Sequence, residues 1–183
     1  MLDYFWEYMF KDFFRGARRR GGWGQPNRAR PMTLGAPPLL LLVAATGCGT
    51  LSPPLPPVNL NDPGWTVHEG QAVWSMKHGK RELAGEVLVA TRIDGDAFVQ
   101  FAKTPFPFLI GRLSQGRWEV QFPARNRRYS GPGAPPQRLI WLYLPRVLAG
   151  QPAPAGLSWR HDGHQWRLEN PSAAESVEGY FTR

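Results

Sequence analysis

The sequence predicts a mainly β protein, an antiparallel curled sheet or incomplete β-barrel with one short helix. Three observations predict it. From residue 65 onward, apolar and polar residues alternate with the period of two that a half-buried strand requires. Turn signals such as the Asp-Gly pairs at 94–95 and 162–163 separate the alternating stretches. Only one stretch, 137–150, has the length of a helix among these short strands.

The alternating stretches follow one another as predicted strands. The first is 71–78, and the second, 81–93, forms a hairpin with 97–103 across the Asp-Gly-Asp turn. The stretch 105–113 begins at prolines, which suits an edge strand or the start of a strand. Further strands are predicted at 118–122, 157–161, 165–170 and 175–181.

Two stretches interrupt this pattern. Residues 124–136 are rich in glycine, proline and arginine and are predicted to be a loop with a small basic cluster. Residues 137–150 favour a short helix broken at Pro145, although Ile140 and Trp141 also suit a strand. The sum is seven or eight strands and one helix, which an antiparallel meander accommodates most economically.

The first 47 residues have the features of an export signal and are set apart from the fold. A basic stretch, Arg15–Arg30, precedes an apolar run, Leu39–Ala45, and small residues then lead to Cys48. The apolar run is far shorter than the roughly 20 residues of a transmembrane helix. Residues 1–31 are aromatic and partly acidic, which favours an extension from an upstream start codon.

Cys48 is the only cysteine, so an internal disulfide is excluded. The residues before it resemble the lipobox of bacterial lipoproteins, with Ala45 where leucine is commonest. The resemblance implies that Cys48 carries a diacylglyceryl thioether and becomes the new amino terminus. Two or three acyl chains make a stable anchor. The chain is therefore expected to be held by lipid in a bacterial cell envelope.

The anchor and the folded domain are joined by residues 48–64, which hold five prolines. Such a stretch is extended and semi-rigid, so it predicts a spacer between the membrane and a domain at 65–183. A loop that packs on the domain is the alternative.

Charge and motifs argue against several function classes. Residues 1–47 hold seven Lys and Arg against three Asp and Glu, so half of the net charge of +8 precedes the domain. The sequence shows no basic face with interleaved aromatic residues, so nucleic-acid binding is not predicted. The sequence has no phosphate loop and no nucleophile elbow, and His161 and His164 lack further metal ligands. No catalytic residue, metal or cofactor is predicted, and the protein is expected not to be an enzyme.

Large aromatic residues are frequent in the domain, and they suit either a filled core or an apolar cavity. The sequence leaves both open. If a cavity exists, the predicted inward-facing residues that line it are Leu83, Val87, Val89, Val99, Phe101, Trp118, Val120, Phe122 and Trp166.

Beyond the lipobox, three stretches resemble the LolA/LolB-like fold family of bacterial lipoprotein carriers and acceptors, namely 85–113, 144–154 and 166–181. The resemblance implies a cavity that takes acyl chains or lipoproteins from a periplasmic carrier. Gly49 and Thr50 include no aspartate, which in that family implies an outer-membrane location facing the periplasm. Two groups of residues are expected to contact a partner or the membrane. The apolar group, at the place of the family's protruding loop, is Phe106, Phe108 and Leu109. The basic group is Arg125, Arg127 and Arg128.

Two functions follow from these observations. The first is a membrane-anchored lipoprotein that binds acyl chains in an apolar cavity and accepts lipoproteins or lipids at the outer membrane. The alternative is a lipid-anchored, non-enzymatic envelope module that binds protein and has a filled core. A continuous internal cavity favours the first, and a filled interior favours the second.

Overall fold

Nine β-strands and one short α-helix make up the described part of the chain. The computed structural model describes residues 53–76 and 81–182. A 3-10 turn, Ile140–Tyr143, leads directly into the helix α1, Leu144–Leu148. The strands are β1 Thr66–Met76, β2 Arg81–Thr91, β3 Ala97–Lys103, β4 Phe106–Ser114, β5 Arg117–Phe122, β6 Arg127–Pro132, β7 Ser158–Asp162, β8 Gln165–Asn170 and β9 Glu175–Phe181.

All nine strands form one antiparallel sheet in the order β6-β5-β4-β3-β2-β1-β9-β8-β7. Two meanders, β1 to β6 and β7 to β9, meet where β1 pairs with β9 and Trp74 lies opposite Val177. The edge strands β6 and β7 do not pair with each other, so the sheet remains open. This architecture confirms the predicted fold class.

Strand alternation gives the sheet an apolar face, which we call the inner face, and a polar outer face. On the inner face, Val89, Val99, Gly111 and Val120 lie side by side across β2 to β5. The three valines are 1% exposed or less. Burying an aliphatic side chain this completely stabilises the fold by about 1.5–3 kcal/mol.

The inner face is covered by residues 139–148, which we call the covering segment. This segment includes the 3-10 turn and α1, and its residues Ile140 and Leu144 are almost completely buried. It contacts β2, β3, β4, β8 and β9. The apolar residues of this stretch require burial, which explains why it packs on the sheet, while Arg146 of α1 remains exposed.

A glycine lets the covering segment approach the sheet. A Cβ atom at Gly111 would lie 2.5 Å from Leu142 Cδ2 and 2.6 Å from Val99 Cγ1. Real Cβ atoms do not come this close to neighbouring atoms, so any side chain at position 111 would displace Leu142.

One strand prediction was wrong in part. The predicted loop at 124–136 contains β6, an edge strand whose arginines and terminal proline give no apolar alternation. The stretch 105–113, predicted as an edge strand or as a strand that starts at prolines, is β4, which begins directly after Pro105 and lies between β3 and β5. Its Pro107 is tolerated there because the pairing shifts register beside it, between Phe101 and Ala102.

The proline-rich stretch contacts the outer face of the sheet. The Leu55 N–H donates to Glu119 Oε2 at 3.1 Å, and the Leu55 carbonyl accepts from Arg112 Nη1 at 3.1 Å. Arg117 Nη2 also donates to the Pro53 carbonyl at 3.1 Å. Leu55 is only 7% exposed. Residues 53–55 thus lie on the domain as a packed loop does, and the spacer interpretation does not describe them.

Candidate functional site

The nine residues predicted to line a cavity all lie on the inner face. Seven of them are buried, and Leu83 and Trp118 are partly exposed. The sequence therefore identified the apolar face correctly. Whether that face can hold a ligand depends on what covers it.

Aromatic rings of the covering segment occupy the space above the inner face. Trp141 stacks on Phe101 with ring centroids 4.7 Å apart, and it meets Trp74 edge-on at 5.6 Å. Trp141 and Phe101 are at most 1% exposed. This cluster occupies the space over β1 and β3 on the inner face.

The residues predicted to contact a partner or membrane are not brought together. Phe106 is 73% exposed, but Leu109 is 2% exposed because β4 turns it onto the inner face opposite Phe101. Leu109 is therefore excluded as a surface contact, which corrects that prediction. Phe108 is partly exposed and lies against Phe101 at 6.2 Å.

The predicted basic cluster lies beside the edge strand β6. Arg127 and Arg128 are exposed, and Arg125 is partly exposed at the end of a 3-10 turn. Arg128 Nη1 lies 3.6 Å from Glu119 Oε2. Part of this positive charge is thus paired with Glu119, a carboxylate of the same domain. Residues 1–47 and Cys48 lie outside the described residues.

The outer face carries a groove that the sequence did not predict. It has a volume of about 870 Å³ and is open to solvent. Its lining comes from β1, β2, β7, β8, β9, the last residue of β3 and Thr104, which follows it. Of the residues predicted to line a cavity, only Trp166 borders this groove. We call it the outer groove.

Strand register explains the lining of the outer groove. Gln71 lies opposite Tyr180 on one side and Glu86 on the other. Val73 lies opposite Glu178 and Ala84 in the same way. Residues opposite each other in a sheet point to the same side, so these residues share the outer face. Small apolar residues at the centre are therefore flanked by polar and charged residues.

Charges of both signs lie around the outer groove in equal number. Lys103, Arg160 and Arg167 supply three cations, and Glu86, Asp162 and Glu178 supply three anions.

Three polar contacts organise the lining of the outer groove. Arg167 Nη1 donates to Glu178 Oε2 at 2.7 Å, and Arg167 also contacts Glu169. Tyr180 Oη donates to Gln71 Oε1 at 3.0 Å. Thr104 Oγ1 donates to Glu86 Oε1 at 2.7 Å. The groove offers a complementary surface to groups of either charge and to amides.

Glycines inside the strands are the sequence signal that could have indicated this groove. A Cβ atom at Gly179 would lie 2.1 Å from the Gln71 carbonyl oxygen, and one at Gly70 would lie 1.9 Å from the Tyr180 carbonyl oxygen. Glycine within a strand marks a bend or a close backbone approach. These two glycines permit such an approach between β1 and β9, the strands at the centre of the groove.

Glu175 is an acidic residue placed on the inner side of β9. Its Oε1 accepts a hydrogen bond from Trp74 Nε1 at 2.7 Å. Burial raises the pKa of Glu175 from 4.5 to about 8, against the hydrogen bond from Trp74, which lowers it. The carboxyl group thus keeps its proton at neutral pH in the folded protein.

Replacing Glu175 by glutamine is expected to stabilise the protein at high pH. The folded state binds this proton more tightly than the unfolded chain, so wild-type stability falls as the pH rises from about 4.5 to about 8, then levels. Glu175→Gln should therefore match the wild type near pH 4 and exceed its free energy of unfolding by about 1–3 kcal/mol at pH 9, within the limit of about 1.4 kcal/mol per pKa unit.

Urea unfolding at pH 4, 6, 7.5 and 9 tests this expectation. Glu82→Gln, at an exposed position of β2, is the control for the effect of the substitution itself. A pH-independent difference for Glu175→Gln would contradict the raised pKa.

Among the described residues, no helix has the length and apolarity needed to cross a membrane, and no three acidic, histidine or cysteine side chains gather as a metal site. No model of a known protein family matches this chain, and no curated protein matches it either.

Proposed function

We propose that this protein is a lipid-anchored, non-enzymatic module of a bacterial cell envelope that binds a segment of another protein in the outer groove. The observation that carries the proposal is the packing of Trp141 on Phe101 at 4.7 Å on the inner face, with both rings at most 1% exposed. A filled interior favours protein binding over acyl binding.

The lining of the outer groove suits a polypeptide better than an acyl chain. Val73 and Ala84 give a small apolar centre, and Gln71 and Gln165 offer amide groups that pair with a main chain. Three cations and three anions around them match a segment that carries both charges. A volume of about 870 Å³ is in the upper range of ligand-binding clefts.

The edge strand β7 borders this groove and offers a second means of binding a polypeptide. β7 pairs with β8 on one side only, so its other side has main-chain groups without a neighbouring strand. An extended segment in the groove can add to such an edge through main-chain hydrogen bonds. The groove would then supply side-chain selectivity, and the edge would supply affinity.

Photo-crosslinking tests the proposal. A photoreactive phenylalanine analogue replaces Val73 in the groove or Glu69, which lies on the same face of β1 outside the groove. Both variants are made as full chains in the envelope of the source cell, with folding checked by circular dichroism. A discrete polypeptide adduct at Val73 and none at Glu69 is the expected result. Equal adducts at both positions, or none at either, would overturn the proposal.

Acyl binding on the inner face is the competing function, and it predicts a different result. Native mass spectrometry of residues 49–183, produced without Cys48, would then detect bound acyl species. Their loss in a folded Phe101→Arg variant would assign them to the inner face and favour the lipid-handling function. A mass without lipid, also after lipid addition, would agree with the filled core.

A further inference from the structure

We propose that the sheet end carrying the β2–β3 and β4–β5 turns faces the membrane that holds Cys48, and that Ile93 enters the interfacial layer of that membrane. This inference rests on the lipid anchor of the proposed function. It does not depend on what the outer groove binds. The occupant of this end of the domain is the lipid surface itself.

The length of chain between the anchor and the domain carries the inference. The Pro53 carbonyl is held by Arg117 Nη2, and Leu55 is buried on the sheet. Only four residues lie between Cys48 and Pro53, and the five residue steps from one to the other span at most about 18 Å. A lipidated Cys48 therefore keeps the beginning of β5 close to the membrane surface.

Strand register identifies which other residues share that end. Arg117 lies opposite Ser114, and Leu113, one residue earlier on β4, lies opposite Ala97 at the start of β3. Ala97 in turn lies opposite Thr91 at the end of β2. The turns at 92–96 and 115–116 are therefore at the same end of two neighbouring hairpins, about 10 Å apart.

Ile93 is the apolar side chain that this end presents. It is 105% exposed, more than any other large apolar residue described. The turn that carries it holds one arginine and two aspartates, and Arg92 lies 3.5 Å from Asp94 and stacks over Trp65 at 5.5 Å. Contact with lipid is thus expected to depend on apolar burial and not on anionic head groups.

Phe106 provides a matched comparison at the opposite end of the sheet. It is also strongly exposed, at 73%, and it begins β4, whereas Ser114 ends that strand. Nine residues of strand place the two ends about 26 Å apart. A domain that stands on the Ile93 end therefore keeps Phe106 out of contact with the anchoring membrane.

Fluorescence quenching distinguishes the two ends. The full lipidated chain with Ile93→Cys or Phe106→Cys is labelled with a polarity-sensitive fluorophore and reconstituted into phosphatidylcholine vesicles. Cys48 is the only natural cysteine, so lipidation leaves the introduced thiol as the sole labelling site. Nitroxide-labelled acyl chains in the vesicles quench fluorophores that reach the lipid. Circular dichroism confirms that both variants are folded.

The expected result is quenching at position 93 at least threefold stronger than at position 106. Equal quenching, no quenching, or stronger quenching at position 106 in a lipidated chain would overturn the inference and leave the anchor intact. A mature chain without the lipid mass on Cys48, or a Cys48→Ser variant that binds vesicles equally well, would overturn the anchor and this inference together. Crosslinking at Val73 tests the groove separately.

Discussion

Replacing Trp141 by alanine is expected to lower the free energy of unfolding by about 3–5 kcal/mol. The indole is 1% exposed, stacks on Phe101 and meets Trp74 edge-on. Its removal loses the transfer free energy of a large aromatic group and leaves a cavity at the centre of the covering segment. Because these two neighbours belong to different strands, β3 and β1, they are poorly placed to close the space.

Urea unfolding followed by circular dichroism measures this loss. Trp159→Ala is the matched control, since Trp159 is partly exposed on the edge strand β7 and stacks on Trp166 at 6.2 Å. It should cost about 1 kcal/mol. Equal losses of unfolding free energy in the two variants would show that Trp141 of the covering segment stabilises the fold no more than an aromatic contact on an edge strand does.

The second large effect is expected at Glu119. This carboxylate is 1% exposed, and it accepts hydrogen bonds from the Leu55 N–H at 3.1 Å and from Gln121 Nε2 at 2.8 Å. Arg112 Nη1 and Arg128 Nη1 lie 3.5 and 3.6 Å from its oxygens. Glu119→Ala removes the common acceptor of these groups, and breaking a buried charge pair costs about 3–5 kcal/mol.

This variant is also expected to release the chain before β1. Leu55 would lose its acceptor, so its amide proton should exchange with solvent much faster than in the wild type. Hydrogen exchange measured by mass spectrometry on peptides covering 53–58 provides the readout. Glu69→Ala, at an exposed site on β1, should change neither exchange nor stability. Unchanged protection of 53–58 in folded Glu119→Ala would disprove the anchoring role of Glu119.

Local alternation was sufficient to predict most strands. The stretches 97–103, 165–170 and 175–181 have the same bounds in the structure because apolar residues alternate cleanly up to a turn signal. β6 was missed because an edge strand needs little apolar alternation when only one side pairs. Residues 137–150 stayed ambiguous because the apolar run 139–145 is continuous, and a continuous apolar run does not distinguish a buried helix from a strand.

The candidate site depended on information that local patterns do not contain. The outer groove exists because β1 pairs with β9, and that register follows from no nearby residue. Its lining is polar, so in sequence Gln71 and Glu178 cannot be told from ordinary solvent-facing positions. The inner face was predictable residue by residue, but its filling by Trp141 was not, because filling depends on where a distant segment lies.

The pairing of β1 with β9 also determines the order in which the domain can assemble. The two strands are neighbours in the sheet, yet Trp74 and its hydrogen-bond partner Glu175 are 101 residues apart. β1 to β6 can form as successive local hairpins while the chain is still being made. β9 cannot, so the middle of the sheet keeps an open edge until nearly the whole domain has emerged. Sheets with such distant pairing fold slowly and expose strand edges meanwhile, and we expect this chain to need protection from aggregation until β9 is in place.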